Sequence, residues 1–140
     1  MTPPTPKLVV AVVLTDSAGR FLFQQRDYNP AIAYKGRWSL FGGVVEPEET
    51  PHHAIIRELK EEIGVDFKAL KPLCDILWKG FQIKLFEGEI PTNCEISLRE
   101  GKSFGFFTKK QISEMDLAFC YTKFFKRYFN KEILRGSARN

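Results

Sequence analysis

GVVEPEETPHHAIIRELKEEIGV, residues Gly43 to Val65, is the stretch whose reading decides the rest of the chain. Its second half carries the marks of a short, bounded helix. Thr50 is an N-cap residue, Pro51 stands at the first helical position, where a missing N–H is harmless, and Gly64 supplies a left-handed stop. At about 100° per residue, Ile55, Ile56, Leu59 and Ile63 fall on one arc, a core-facing stripe. Glu58, Glu61 and Glu62 are placed on the neighbouring arc, related as i, i+3 and i+4. Like charges at this spacing repel by roughly a few tenths of a kcal/mol per pair. An acidic helix face is ordinarily just solvated, but three details set this one apart. The carboxylates border the buried stripe. They follow Gly42-Gly43, whose backbone can approach a ligand closely. Glu49 and Arg57 stand where they can pair and brace the loop against the helix. Clustered carboxylates hold hard divalent cations, with Mg²⁺ and phosphate oxygens the usual combination.

The stretch resembles the signature of the Nudix hydrolases: Gly, five residues, Glu, seven residues, then Arg-Glu-aliphatic-x-Glu-Glu-x-Gly-aliphatic. Gly43, Glu49, Arg57, Glu58, Leu59, Glu61, Glu62, Gly64 and Val65 fill every specified position. The resemblance implies a Mg²⁺-dependent hydrolase, with Mn²⁺ as a substitute, cleaving a diphosphate linkage in a nucleoside diphosphate derivative. It implies metal ligands at Glu58, Glu61, Glu62 and the carbonyl of Gly42, a ligand contact at Gly43, and a structural brace at Glu49. Arg57 joins the catalytic set as the partner of Glu49. MutT-type relatives also carry a Glu-Gly pair, a polar residue and then an aromatic, which Glu100-Gly101-Lys102 with Phe106 resembles. Glu100 is therefore a further expected ligand, and Glu58 or Glu100 the expected general base. The implied fold is an α/β/α sandwich around a central mixed sheet, covering about residues 7 to 134.

Bulk properties agree with one domain. The chain has 140 residues and is 44% hydrophobic and 27% charged, as ordinary globular domains are. No apolar run reaches the length of a membrane span, and MTPPTPK lacks the pattern of a signal peptide. Cys74, Cys94 and Cys120 are odd in number and widely spaced, which suits reduced thiols in a cytoplasmic protein. Residues 119–140 carry six basic side chains against Glu132, net +5, while the other 118 residues carry 15 basic and 16 acidic groups, net −1. A basic, aromatic end invites a nucleic-acid reading. Helical spacing argues against it, because Tyr121, Phe124, Phe125 and Tyr128 recur at i, i+3, i+4 and i+7 with lysines between them. That is the pattern of a docked amphipathic helix. The expected partner is a small-molecule nucleotide, without membrane or nucleic acid, and the expected state is monomer or homodimer.

Along the chain, Leu8–Leu14 and Phe21–Arg26 flank the turn Thr15–Gly19 and read as a hairpin whose first strand is covered on both faces. Trp38–Phe41 is a short strand delivering the chain to the double glycine. Asp66–Leu70, Leu73–Trp78 and Phe81–Glu89 read as strands, Thr108 caps a short helix through Met115, and a terminal helix covers Phe119–Leu134. Residues 1–6 and 136–140 are expected to be flexible. Strands on either side of a central helix, with a second helix at the end, suggest helices on both sheet faces.

Substrate is the least legible part. Arg26 is either a surface arginine or, as in many relatives resembling the MutT type, a contact to substrate phosphate. Tyr121, an expected substrate contact, falls near the place where the MutT type that reads oxidised guanine uses an asparagine, and no asparagine lies close by, which argues against that substrate. The expected reaction is a (d)NTP converted to monophosphate plus pyrophosphate. Cleavage of a nucleotide sugar or a dinucleotide is the alternative, and a non-catalytic nucleotide-sensing module is the alternative from another class.

Overall fold

The computed structural model describes residues 5–29, 31–98, 103–132 and 137–138. Among these, eight strands form one mixed sheet: β1 (Lys7–Thr15), β2 (Phe21–Gln25), β3 (Trp38–Ser39), β4 (Phe41–Val44), β5 (Lys71–Trp78), β6 (Phe81–Glu89), β7 (Ser103–Phe107) and β8 (Ser137–Ala138). Three helices accompany them: α1 (Pro51–Ile63), α2 (Lys109–Ser113) and α3 (Tyr121–Phe129).

β1 is the spine. It pairs in parallel with β6 from Lys7↔Phe81 to Thr15↔Glu89, and antiparallel with β4 on its other side. Its alternating side chains serve two cores, as a strand covered on both faces must. Val10, Val12 and Leu14 pack with Ala54, Ile55, Leu59 and Ile63 of α1. Ala11 and Val13 pack with Ile112 of α2 and Tyr121, Phe124 and Phe125 of α3. This is the α/β/α sandwich that the order of elements predicts.

The structure departs from the sequence reading in five places. The β1–β2 hairpin pairs only at Thr15↔Phe21. Asp16 fixes its turn by accepting the N–H groups of Ala18 and Arg20, but β2 then swings away to pair with β7 along its whole length and with β3 at its end. The 38–44 segment follows the split: it pairs with β2 before Leu40 and with β1 after it. Gly42 and Gly43 are consequently strand residues, opposite Ala11 and Val10. Residues 66–70 are not a strand; the Leu70 N–H is taken by Nε2 of His52 on α1, 3.2 Å away, while Phe67 and Leu70 bury themselves beneath that helix. The terminal helix is shorter than expected. Phe119 and Lys131, at φ 56° and 58°, are left-handed and bound it on either side. Ser137 and Ala138, expected in a flexible tail, pair in parallel with Cys74 and Asp75 on the sheet's edge. An edge strand offers unpaired backbone groups to any such segment.

Candidate active site at the split in the sheet

The helix that carries the acidic residues forms for the reasons its sequence states. Thr50 accepts the His53 N–H, Pro51 opens the helix, and Gly64 closes it at φ 70°, its N–H bonded to the Lys60 carbonyl. Burial of Ala54, Ile55, Leu59 and Ile63 sets the rotation of α1 and therefore the direction of its carboxylates. Glu62 needs a correction. It is buried, at 8% exposure, whereas Ile56 lies at the margin. Seven residues separate Glu62 from Ile55, about 20° short of two full turns, and four separate it from Glu58, about 40° past one turn, so Glu62 lies at the buried edge of the acidic arc, between Ile55 and Glu58.

Arg57 is the hub of the site. Its Nε and Nη2 donate to the two oxygens of Glu49, at 2.7 and 2.9 Å, a bidentate pair. Its Nη1 donates to Glu58 Oε1 at 3.1 Å and to Glu61 Oε2 at 3.3 Å, and Nη2 reaches the Val44 carbonyl at 3.3 Å. Glu46 Oε1 completes the ring as an ion pair at 3.6 Å. The guanidinium thus ties helix α1, the 45–50 loop and strand β4 together. The hydrogen bond from Arg57, helped by the Glu46 N–H, draws the Glu49 carboxyl down to a pKa of about 2. The same pairing raises Arg57 further above its ordinary value, keeping it charged.

Gly43 faces this cluster. A Cβ at position 43 would collide with the carboxylate of Glu58, whose Oε2 lies 2.8 Å from that point. Only glycine lets the carboxylate lie against the strand. Gly42 is required for a different reason: its Cβ would meet the Val10 carbonyl and lie 2.9 Å from Ala11 Cα.

On the other side of Gly42 and Gly43 opens a cavity of about 230 Å³. It lies where β1 and β2 diverge, and the Gln24 side chain spans the gap by donating to the Leu40 carbonyl at 3.0 Å. Its lining combines Gln24, Arg26 and Ser39 with the rings of Trp78, Phe81, Phe119 and Tyr121. Tyr121, the first residue of α3, is buried, and that burial pushes its phenol well above the usual range. Arg26 donates from Nε to the Ala33 carbonyl at 2.9 Å, and its guanidinium lies 4.7 Å from the centre of the Phe119 ring.

Glu58, Glu61, Glu49, Arg57 and Gly43 are thus gathered around one end of β4, with Gly42 next in that strand, Glu62 buried on the same helix, and Arg26 and Tyr121 in the lining of the cavity. Glu100 lies outside the described residues; the strand that follows it, β7, begins at Ser103 opposite Gln25. Among the described residues, no three His, Cys, Asp or Glu side chains are gathered closely enough to hold a metal ion as they stand. The donor chemistry nevertheless suits a hard dication. Oxygens of Glu58 and Glu61 both lie within 3.3 Å of one nitrogen, Arg57 Nη1, so they already converge on a point of positive charge. Sequence reasoning missed Gln24, Trp78 and Phe119. Phe119 carried a signal, since it stands outside the Tyr121–Phe124–Phe125–Tyr128 stripe.

A mixed sheet between two helical layers, split beside a helix bearing an Arg-Glu-x-x-Glu-Glu run, defines a class that comparison with known proteins makes explicit. The NUDIX domain family matches residues 5–119. A MutT-like protein of Streptomyces ambofaciens is 30% identical over 115 residues, covering 81% of this chain and 71% of that protein. A CTP pyrophosphohydrolase of Escherichia coli (strain K12) is 38% identical over 60 residues, covering 43% of this chain and 42% of that protein, less than half its length. Among solved structures, the MutT protein of Methanosarcina mazei Go1 superposes with a TM-score of 0.74 at 22% identity, covering 94% of this chain and 99% of that one. This chain belongs to the Nudix family of hydrolases, and its likeness within that family is to the MutT type. No helix among the described residues is long and apolar enough to cross a membrane.

Proposed function

We propose that the protein is a divalent-cation-dependent pyrophosphohydrolase that converts a nucleoside triphosphate to its monophosphate and pyrophosphate. The observation that carries this reading is the position of Glu58, whose carboxylate lies against Gly43 at the wall of the cavity. Phosphate held along Gly42-Gly43 and a base lodged in the aromatic cavity would lie on either side of that wall. Names of similar proteins, a MutT-like protein and a CTP pyrophosphohydrolase, point the same way.

In this reading Glu58, Glu61 and Glu62 hold Mg²⁺, or Mn²⁺ in its place, together with the Gly42 carbonyl and Glu100. The ion, when bound, lowers the pKa of its water and neutralises phosphate charge. The chain's own groups do the remaining work. Glu58 accepts the proton of the attacking water, a phosphorus–oxygen bond forms to that water, and the bridge between the α and β phosphates breaks to release pyrophosphate. Arg57, fixed by its bidentate bond to Glu49, holds the carboxylate of Glu58 in place. The cavity walls keep bulk water from the base and fix the distance from base to bridge.

Hydrolysis of a panel of nucleoside triphosphates, nucleotide sugars and dinucleoside polyphosphates, with products identified by mass, tests the reading. The double variant Glu61→Gln, Glu62→Gln is expected to lose about 1000-fold or more in turnover while keeping its unfolding midpoint. Full activity in that variant, or products other than monophosphate plus pyrophosphate, would overturn it.

A further inference from the structure

Arginine at the end of β2 has an expected role in this family, contact with substrate phosphate. The structure gives Arg26 different neighbours. Its Nε is engaged by the Ala33 carbonyl at 2.9 Å, and its guanidinium lies 4.7 Å from the centre of the Phe119 ring. Arg26 and Phe119 both line the cavity, which also holds Trp78 and Tyr121. Phe119 is itself fixed. Its backbone is left-handed at φ 56°, and its ring meets Tyr34 edge-on at 5.0 Å and Trp78 at 5.8 Å.

These contacts have a physical consequence. A phosphate-binding arginine works best when its fork is open for bidentate contact with oxyanions. Here one edge of the fork is spent on Ala33 and the flat side is applied to a ring. A guanidinium stacked on an aromatic ring presents a planar, weakly hydrated surface, which suits the face of a nucleobase. The rim of loop 27–36 supports the arrangement, because Ala33 and Tyr34 both belong to it. The loop therefore sets the position of the stacking plate.

We propose that Arg26 and Phe119 form a stacking plate for the nucleobase, making Arg26 a residue that binds the base and not the phosphate. The inference rests on the nucleotide reading of the cavity, and it adds a residue role that the family resemblance assigns differently.

Lysine at position 26 separates the two roles, because it keeps the charge and loses the plane. Wild type, Arg26→Lys and Phe119→Leu would be titrated with adenosine, cytidine, guanosine and uridine monophosphates without metal, following the intrinsic fluorescence to which Trp78 in the cavity contributes. The same proteins would then be assayed on the triphosphate that the wild type hydrolyses best and on ribose 5-triphosphate, which has no base. The stacking plate predicts that both variants bind the preferred monophosphate about tenfold more weakly, since stacking on a base contributes on the order of a tenfold factor or more. It also predicts a KM raised by a similar factor for the triphosphate and unchanged for the base-less compound. The proposal is overturned if Arg26→Lys binds and turns over nucleotides as the wild type does. Equal losses on the base-less triphosphate overturn it as well, since they mark a phosphate contact, and so does a wild type that binds no monophosphate. Binding is read without turnover, so an inactive protein that still binds nucleotides would sink the hydrolase reading and leave this test intact.

Discussion

Replacing Gly43 by alanine adds one carbon at the most informative point of the site. An ideal Cβ there lies 2.8 Å from Glu58 Oε2, with Oε1 and Cδ closer still. Non-bonded contacts settle at about 3.5 Å, so the carboxylate must retreat by about 1 Å. What yields is the far end of a flexible side chain, so stability should change by less than about 1 kcal/mol. The rate should not be spared. Misplacing a reacting group by about 1 Å costs about 100-fold, or roughly 2.7 kcal/mol of barrier. Gly42→Ala is the matched control. Its Cβ meets the Val10 carbonyl and lies 2.9 Å from Ala11 Cα, and this backbone is clamped between β4 and β6. That strain has no flexible end to absorb it, so a loss of about 3 kcal/mol in stability is expected. Urea unfolding midpoints and initial hydrolysis rates of the two variants give the comparison. If Gly43→Ala keeps most of its turnover, Glu58 is not held against the reacting bridge. If it unfolds as readily as Gly42→Ala, the distinction between side-chain and backbone crowding is wrong.

Other expectations concern the 45–50 loop. Glu49 has a native pKa of about 2 against an ordinary 4.5, because Arg57 and the Glu46 N–H stabilise its charged form. The depressed value means that its contribution is complete above pH about 4.5 and is lost as pH falls toward about 2. Urea midpoints of wild type and Glu49→Gln should therefore differ at neutral pH and converge in acid; a gap that stays constant with pH would refute the pairing as its source. Glu48 sits at φ 65°, a left-handed position costing a non-glycine residue about 1–2 kcal/mol. Glu48→Gly removes that strain and adds about 0.4–1 kcal/mol of unfolded-chain entropy, so a net stabilisation between zero and about 1.6 kcal/mol is expected in thermal unfolding. A destabilised variant would show that the Glu48 side chain contributes more than its backbone costs.

What the sequence determined by itself is local. The helix from Pro51 to Ile63 lies between its cap and its stop because Thr50, Pro51 and Gly64 act on their own turns of backbone. The pairing of Glu49 with Arg57 was legible because two residues of opposite charge flank a single short helix start. The lysines of α3 are exposed and its aromatic stripe is inward because period alone fixes a helix face. The burial of Glu62 is written in its seven-residue distance to Ile55, while its four-residue distance to Glu58 keeps it at the edge of the acidic arc.

What only the tertiary structure decided depends on which strands meet. No local rule says that β2 leaves β1 after one pair to join β7, a strand about eighty residues on. That divergence creates the cavity, sends Gly42 and Gly43 into a strand, and brings Arg26, Phe119 and Trp78, from three distant segments, to one wall. Pairing energies of alternative strands are nearly equal along the backbone, and the choice among them falls to side-chain burial summed over the whole sheet. The acidic helix and its bracing arginine were therefore written in one contiguous stretch, while the cavity beside them was assembled from pieces that no contiguous stretch contains.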